Sequence, residues 1–132
     1  MTLYNLFPLL AGPFSRWGEH FTRAAAMGFD WVFINPIQQP GASRSLYSIA
    51  DYFRVNPALL DPQSAVPPEE QVRQMIAQAR ASGLKVMIDL VINHSAIDSQ
   101  LTREHPEWFL REPDGRVANS FCQHNGEKVV WH

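Results

Sequence analysis

Residues 27–34, MGFDWVFI, and residues 82–88, SGLKVMI, decide the fold. Each runs from the end of a helical pattern through a glycine, an apolar anchor (Phe29, Leu84) and a charge (Asp30, Lys85) into a short β-rich apolar run. Upstream of the first junction, Trp17, Phe21, Ala24 and Ala25 recur at helical spacing between Arg16 and Met27, with Ser15 placed to cap the start and Gly28 to end it. Upstream of the second, Pro67-Pro68-Glu69-Glu70 opens a helix whose first turn suits proline and carboxylates, and Val72, Met75, Ile76 and Ala79 form its inner stripe. Downstream, Trp31–Ile34 reads as a strand buried on both faces that stops at Asn35-Pro36, and Lys85–Ile92 as a strand interrupted by Asp89 that ends at Asn93-His94. Leu3–Leu10 completes the set as a first strand, broken by Ala11-Gly12-Pro13.

The order strand, helix, strand, helix, strand places the chain in the α/β class, with parallel strands joined by crossovers. A doubly wound sheet and a (β/α)8 barrel both fit, and in both the function gathers at the C-terminal ends of the strands. The connection from Asn35 to Pro67 is long and rich in Pro, Gly, Ser and Tyr; a structureless stretch of that length is usually functional. After His94 the pattern changes: Leu101–Leu110 reads as a short helix, Pro113-Asp114-Gly115 as a turn, and residues 121–132 have no clear period. A full barrel takes ~250 residues, so three strands are either a small open sheet or part of a larger barrel, and the change of pattern after His94 divides the chain into 1–94 and 95–132.

A net charge of −2 offers no field for gathering nucleic-acid phosphates or anionic lipid, so neither nucleic acid nor membrane is expected as a partner. Met1 to Phe14 is uncharged and apolar but lacks the basic start of a signal peptide, and the single cysteine, Cys122, suits a reducing compartment; the expected location is the cytoplasm. Cys122, His124 and His132 lack the paired spacings of a structural zinc site, and no P-loop, dinucleotide fingerprint, serine elbow or HExxH is present.

Two segments carry candidate chemistry. In Asp89-Leu90-Val91-Ile92-Asn93-His94 an acid inside an apolar strand demands a partner, expected to be cationic, and Asn93 and His94 reach the strand end, where His94 serves either a ligand or the structure. In Leu46-Tyr47-Ser48-Ile49-Ala50-Asp51-Tyr52, tyrosines on a long loop either stack on a pyranose or anchor the loop.

Asn35-Pro36-Ile37, LYSIADYFRVNP, GLKVMIDLVINH and HPEWF together resemble, in content, order and spacing, the α-amylase family of glycoside hydrolases, across essentially the whole chain. That resemblance implies the N-terminal part, strands one to three, of a (β/α)8 barrel and the start of its inserted B domain. It implies that the parent acts on α-glucosidic bonds of an α-glucan or maltooligosaccharide, with Tyr47 stacking on the sugar, His94 bonding a sugar hydroxyl and Asp89 supporting an arginine from later in the chain. No cofactor is required, although Asn93 matches a position that holds a structural calcium ion in many members. Leu46 and Ser48 depart from the family's usual glycine and aspartate, and HPEWF followed by Pro113-Asp114-Gly115 is similar to the branch that transfers maltosyl units from maltose 1-phosphate. The family's nucleophile and acid/base follow later strands, so no residue here takes a catalytic role and the chain alone is expected to be inactive; a glucan-binding module that does not cut is the alternative.

Overall fold

In the computed structural model residues 1–119 are described, together with the backbones of strands at 121–124 and 127–130. Three parallel strands, β1 (Leu3–Leu6), β2 (Trp31–Ile34) and β5 (Lys85–Ile88), form a sheet in the order β1-β2-β5. Helix α2 (Trp17–Ala26) links the first pair and α3 (Pro68–Ala81) the second. Each new strand adds beside the last. Both helices enter one core with Leu6, Val32, Ile34 and Leu84: Trp17, Phe21 and Ala24 from α2, Met75 and Ala79 from α3. A doubly wound sheet puts helices on both faces, so this sheet is singly wound.

The register separates its two faces. Val32 and Ile34 are fully buried under the helices, whereas Leu3 and Met87, in line with half-exposed Trp31 and Phe33, lie on the opposite, open face. The expectation that Trp31–Ile34 is buried on both faces is therefore corrected to one face.

Trp17 is the largest core residue, packed edge-on to Phe14 and Phe21, and its indole N–H donates to the Gly12 carbonyl at 2.8 Å. A buried indole needs such an acceptor. The two junctions close alike: Phe29 N–H reaches back to the Ala24 carbonyl and Leu84 N–H to Ala79, with φ of 84° at Gly28 and 81° at Gly83. This six-to-one closure requires the left-handed conformation that glycine adopts without strain.

Several expected boundaries move. The first strand ends at Leu6, because Pro8, which has no N–H for a ladder, starts the short helix α1 (Pro8–Ala11). Ser15 does not cap α2; a 3-10 turn over Phe14–Arg16 leads into it and no side chain caps it. The third strand ends at Ile88, where Asp89 N–H makes its 2.8 Å bond to the Ile34 carbonyl. Pro106 divides the expected 101–110 helix into α4 (Leu101–Glu104) and a 3-10 turn.

The long connection is not structureless. Strands β3 (Gln38–Pro40) and β4 (Ile49–Val55) pair antiparallel with an irregular register, and the buried Asn56 caps the 3-10 turn that follows, accepting from Ala58 N–H at 3.0 Å. Buried Gln71 of α3 bonds Asp61 N–H and the Val66 carbonyl, tying the remainder to the helix. Beyond His94 the chain packs on this hairpin: Ala96 N–H donates to the Ile49 carbonyl, and Ser99, fully buried, donates to the Ala50 carbonyl at 2.9 Å. The turn at 113–115 forms, closed by Gly115 N–H on the Glu112 carbonyl. The segment without a sequence period contains an antiparallel pair, β6 (Phe121–His124) and β7 (Glu127–Val130). No helix among the described residues is long and apolar enough to cross a membrane.

Candidate functional site

At the C-terminal ends of the three parallel strands, polar side chains meet. Asn5 lies in β1, Asn35 directly follows β2, and Asn93 and His94 lie beyond β5; the hairpin brings Tyr47 and Tyr52 to the same end. Asn5 Nδ2 donates to Asn35 Oδ1 at 3.0 Å, and Asn35 Nδ2 donates to the Tyr47 hydroxyl oxygen at 2.6 Å. His94 Nε2 lies 2.8 Å from the Tyr47 carbonyl, and the Tyr52 hydroxyl donates to the His94 carbonyl at 2.8 Å. One chain of contacts thus joins β1, β2, the hairpin and the segment after β5.

His94 and Tyr47, singled out separately in the sequence, come together here. The Tyr47 carbonyl only accepts, so His94 carries a proton on Nε2. Its Nδ1 lies 2.9 Å from the Asn93 side-chain oxygen as placed, which makes the ring doubly protonated or Asn93 rotated to present its NH2 group. Both ring nitrogens are engaged by the protein, so in this arrangement His94 acts as a clamp on Tyr47. Tyr47 remains 40% exposed, its ring accessible beside the clamp.

The two family departures have a structural account. Leu46 is buried, anchoring the loop apart from the main core, where Ile49, Val91 and Ala96 are also buried. Ser48 is half-buried and its carbonyl accepts from Gly41 N–H at 2.8 Å, closing the hairpin loop.

Asp89 does not have the cationic partner the sequence demanded. It lies just past the end of β5, half-buried, and makes no ion pair or side-chain hydrogen bond among the described residues. Water reaches it because the strand ends at Ile88, so the rule for a buried carboxylate does not apply there. Asn93 is exposed, and no group of three His, Cys, Asp or Glu among the described residues could hold a metal ion. Cys122, His124 and His132 lie outside the described side chains.

Titration shifts are few. Burial pushes the Tyr52 hydroxyl above its ordinary value. Hydrogen bonds from Thr2 hold Asp30 below the usual carboxylate range at the far end of the sheet, and a bond from its own backbone N–H lowers Glu107, next to the stacked His105 and Trp108 rings.

Asn5 and Asn35 were missed in the sequence as site residues. The available signal was the one that marked Asn93: a side-chain amide on or just beyond the end of an apolar parallel strand.

Residues 1–111 match the family model of the glycogen debranching enzyme, glucanotransferase domain. The chain belongs to that family. It is 31% identical to an α-1,4-glucan:maltose-1-phosphate maltosyltransferase of Burkholderia pseudomallei (strain K96243), over 86% of this chain and 12% of that protein. It is 28% identical to α-1,4-glucan:maltose-1-phosphate maltosyltransferase 2 of Streptomyces coelicolor, over 89% of this chain and 20% of the relative. Among solved structures an α-amylase from Lactobacillus plantarum superposes with a TM-score of 0.76 at 29% identity, covering 89% of this chain and 28% of that one. The α-amylase resemblance read from Tyr47 and from Asp89–His94 is borne out, and the maltosyltransferase-like branch with it. The chain spans about an eighth to a fifth of the length of these curated relatives.

Proposed function

We propose that this chain supplies one wall of an α-glucan site in an α-amylase-type glucanotransferase, with Tyr47 as the sugar-stacking residue and His94 as the residue that holds it. The observation that carries this reading is the two-ended grip on Tyr47, by Asn35 at the hydroxyl and His94 at the carbonyl. A ring fixed in this way at the ends of parallel strands is a preorganised platform for a pyranose face. In this reading residues 1–94 are the first three β/α units of a (β/α)8 barrel, residues 95–132 begin a B-domain excursion, and Asp89, open to solvent, awaits an arginine from the rest of the barrel. The parent works in the cytoplasm on α-glucan or maltooligosaccharide and needs no cofactor.

The parent's chemistry is a retaining double displacement, which takes two carboxyl groups ~5 Å apart flanking the bond. In this reading the two carboxyl groups come from later strands of the parent, so the 132-residue chain binds but does not turn over. Transfer from maltose 1-phosphate is the alternative for the parent, which HPEWF with the 113–115 turn and the names of the curated relatives support.

Titration of the chain with maltotriose, and with maltose against maltose 1-phosphate, tests the reading. Saturable maltotriose binding that Tyr47→Ala removes, without product release from any of the sugars, is expected. Turnover by the isolated chain contradicts the division of labour; binding unaffected by Tyr47→Ala contradicts the site.

A further inference from the structure

Tyr47 has a hydroxyl as well as a ring, and two asparagines, Asn5 and Asn35, determine where its proton points. Asn5 Nδ2 lies 3.3 Å from the Phe33 carbonyl and 3.0 Å from Asn35 Oδ1. A backbone carbonyl can only accept, so the end of Asn5 that faces it is the NH2 group. That same NH2 faces Asn35, which must therefore present its oxygen. Asn35 is buried, and its other end, the NH2 group, faces the Tyr47 oxygen at 2.6 Å. Amide orientations are normally ambiguous, but here the Phe33 carbonyl settles both in turn.

A phenol oxygen that accepts from Asn35 cannot also direct its own proton at Asn35. We propose that Asn5 and Asn35 are positioning residues that make the Tyr47 hydroxyl an outward-pointing donor to a glucan oxygen, so that Tyr47 offers the sugar a hydrogen bond as well as a ring face. This rests on the α-glucan reading above. Hydroxyl, ring and glycosidic oxygens of a glucose unit all accept. The bond from Asn35 also polarises the phenol, strengthening it as a donor along the chain Asn5, Asn35, Tyr47. With the carbonyl held by His94, neither the ring nor the proton needs reorienting when sugar arrives.

Asn5→Asp tests the relay from a distance. Asn5 is exposed, so the change is compatible with folding; it replaces a donor by an acceptor, which draws the Asn35 NH2 toward position 5 and turns the Asn35 oxygen to Tyr47. The Tyr47 proton is then consumed internally. Asn35→Asp, an isosteric change, does the same directly. Two readouts are taken on the 132-residue chain: the 13Cζ resonance of Tyr47 without ligand, and maltotriose affinity. The expected result is that both variants shift the Tyr47 resonance, leave that of Tyr52 in place, and weaken maltotriose roughly fivefold, the factor carried by one ordinary hydrogen bond. Tyr47→Phe weakens binding by the same factor, and Asn5→Asp adds nothing to it. A Tyr47 resonance unmoved by Asn5→Asp, or losses that add in the double variant, overturn the relay. If wild type binds maltotriose and Asn5→Asp binds as well, only the relay fails; if wild type does not bind, the α-glucan reading fails with it.

Discussion

Tyr47 is gripped through groups of different chemistry, a side-chain amide at its hydroxyl and an imidazole N–H at its carbonyl, and removing either has a separable consequence. His94→Ala releases the backbone at an exposed position, where water replaces the lost bond. The expected destabilisation is about 1 kcal/mol in urea unfolding, together with weaker maltotriose binding because the ring is no longer held. Unchanged affinity would show that the clamp is irrelevant to the ligand. Tyr52 supplies a pH dependence. Burial raises its pKa, so above pH ~10 the unfolded chain loses this proton before the folded one does, and folding stability falls. Below that range both states keep the proton and Tyr52 contributes no slope. Absorbance titration of the phenolates should place one above the rest, and Tyr52→Phe should abolish it while costing about 1 kcal/mol through the lost bond to the His94 carbonyl. At this scale the sequence exposed Tyr47 and His94, because each belongs to a recognisable segment. It could not expose their mutual contact, or the contacts that link Asn5, Asn35 and Tyr47, since those partners are 47, 30 and 12 residues apart in sequence and meet only when the strands align.

The elements depend on two kinds of glycine. Gly28 and Gly83 have nothing within 4 Å of an added Cβ, so alanine there suffers only the left-handed backbone, a cost of about 1–2 kcal/mol. Gly41 is different. An added Cβ would collide with the Asp98 carboxylate and the Ala96 side chain, and Asp98 accepts from Ala42 N–H at 3.1 Å. Gly41→Ala should therefore lift residues 96–98 from the hairpin and cost about 1–3 kcal/mol by overpacking. Amide exchange distinguishes the mechanisms: Gly41→Ala should speed exchange at Ala96 and Ser99, and Gly28→Ala should not. The junction glycines were legible because both close a helix before an apolar strand. Gly41 was not, because its neighbour is supplied from beyond His94. The overlong first and third strands have local causes as well: Pro8 favours a helical first turn over a ladder, and Asp89 belongs to the departing chain once pairing stops at Ile88.

Over the whole molecule, a singly wound sheet has one face sealed by α2 and α3 and one face open. Two methionines report the difference. Met75 is buried in the helix layer, and Met75→Ala should cost about 2–5 kcal/mol. Met87 is 38% exposed on the opposite face, and Met87→Ala should change stability by less than about 0.5 kcal/mol. Equal costs would mean that the open face is covered in solution. The strand and helix order was readable from periodicity, but the winding was not: a doubly wound sheet and a barrel share the same local pattern, and only the common core of both helices separates them. The central claim is that the C-terminal ends of these strands form one wall of an α-glucan site around Tyr47. Amide chemical-shift mapping with maltotriose tests it most directly. The predicted result is saturable shifts concentrated at Asn35, Tyr47, Tyr52 and His94 that vanish in Tyr47→Ala; shifts confined to other surfaces, or none at saturating sugar, would contradict it.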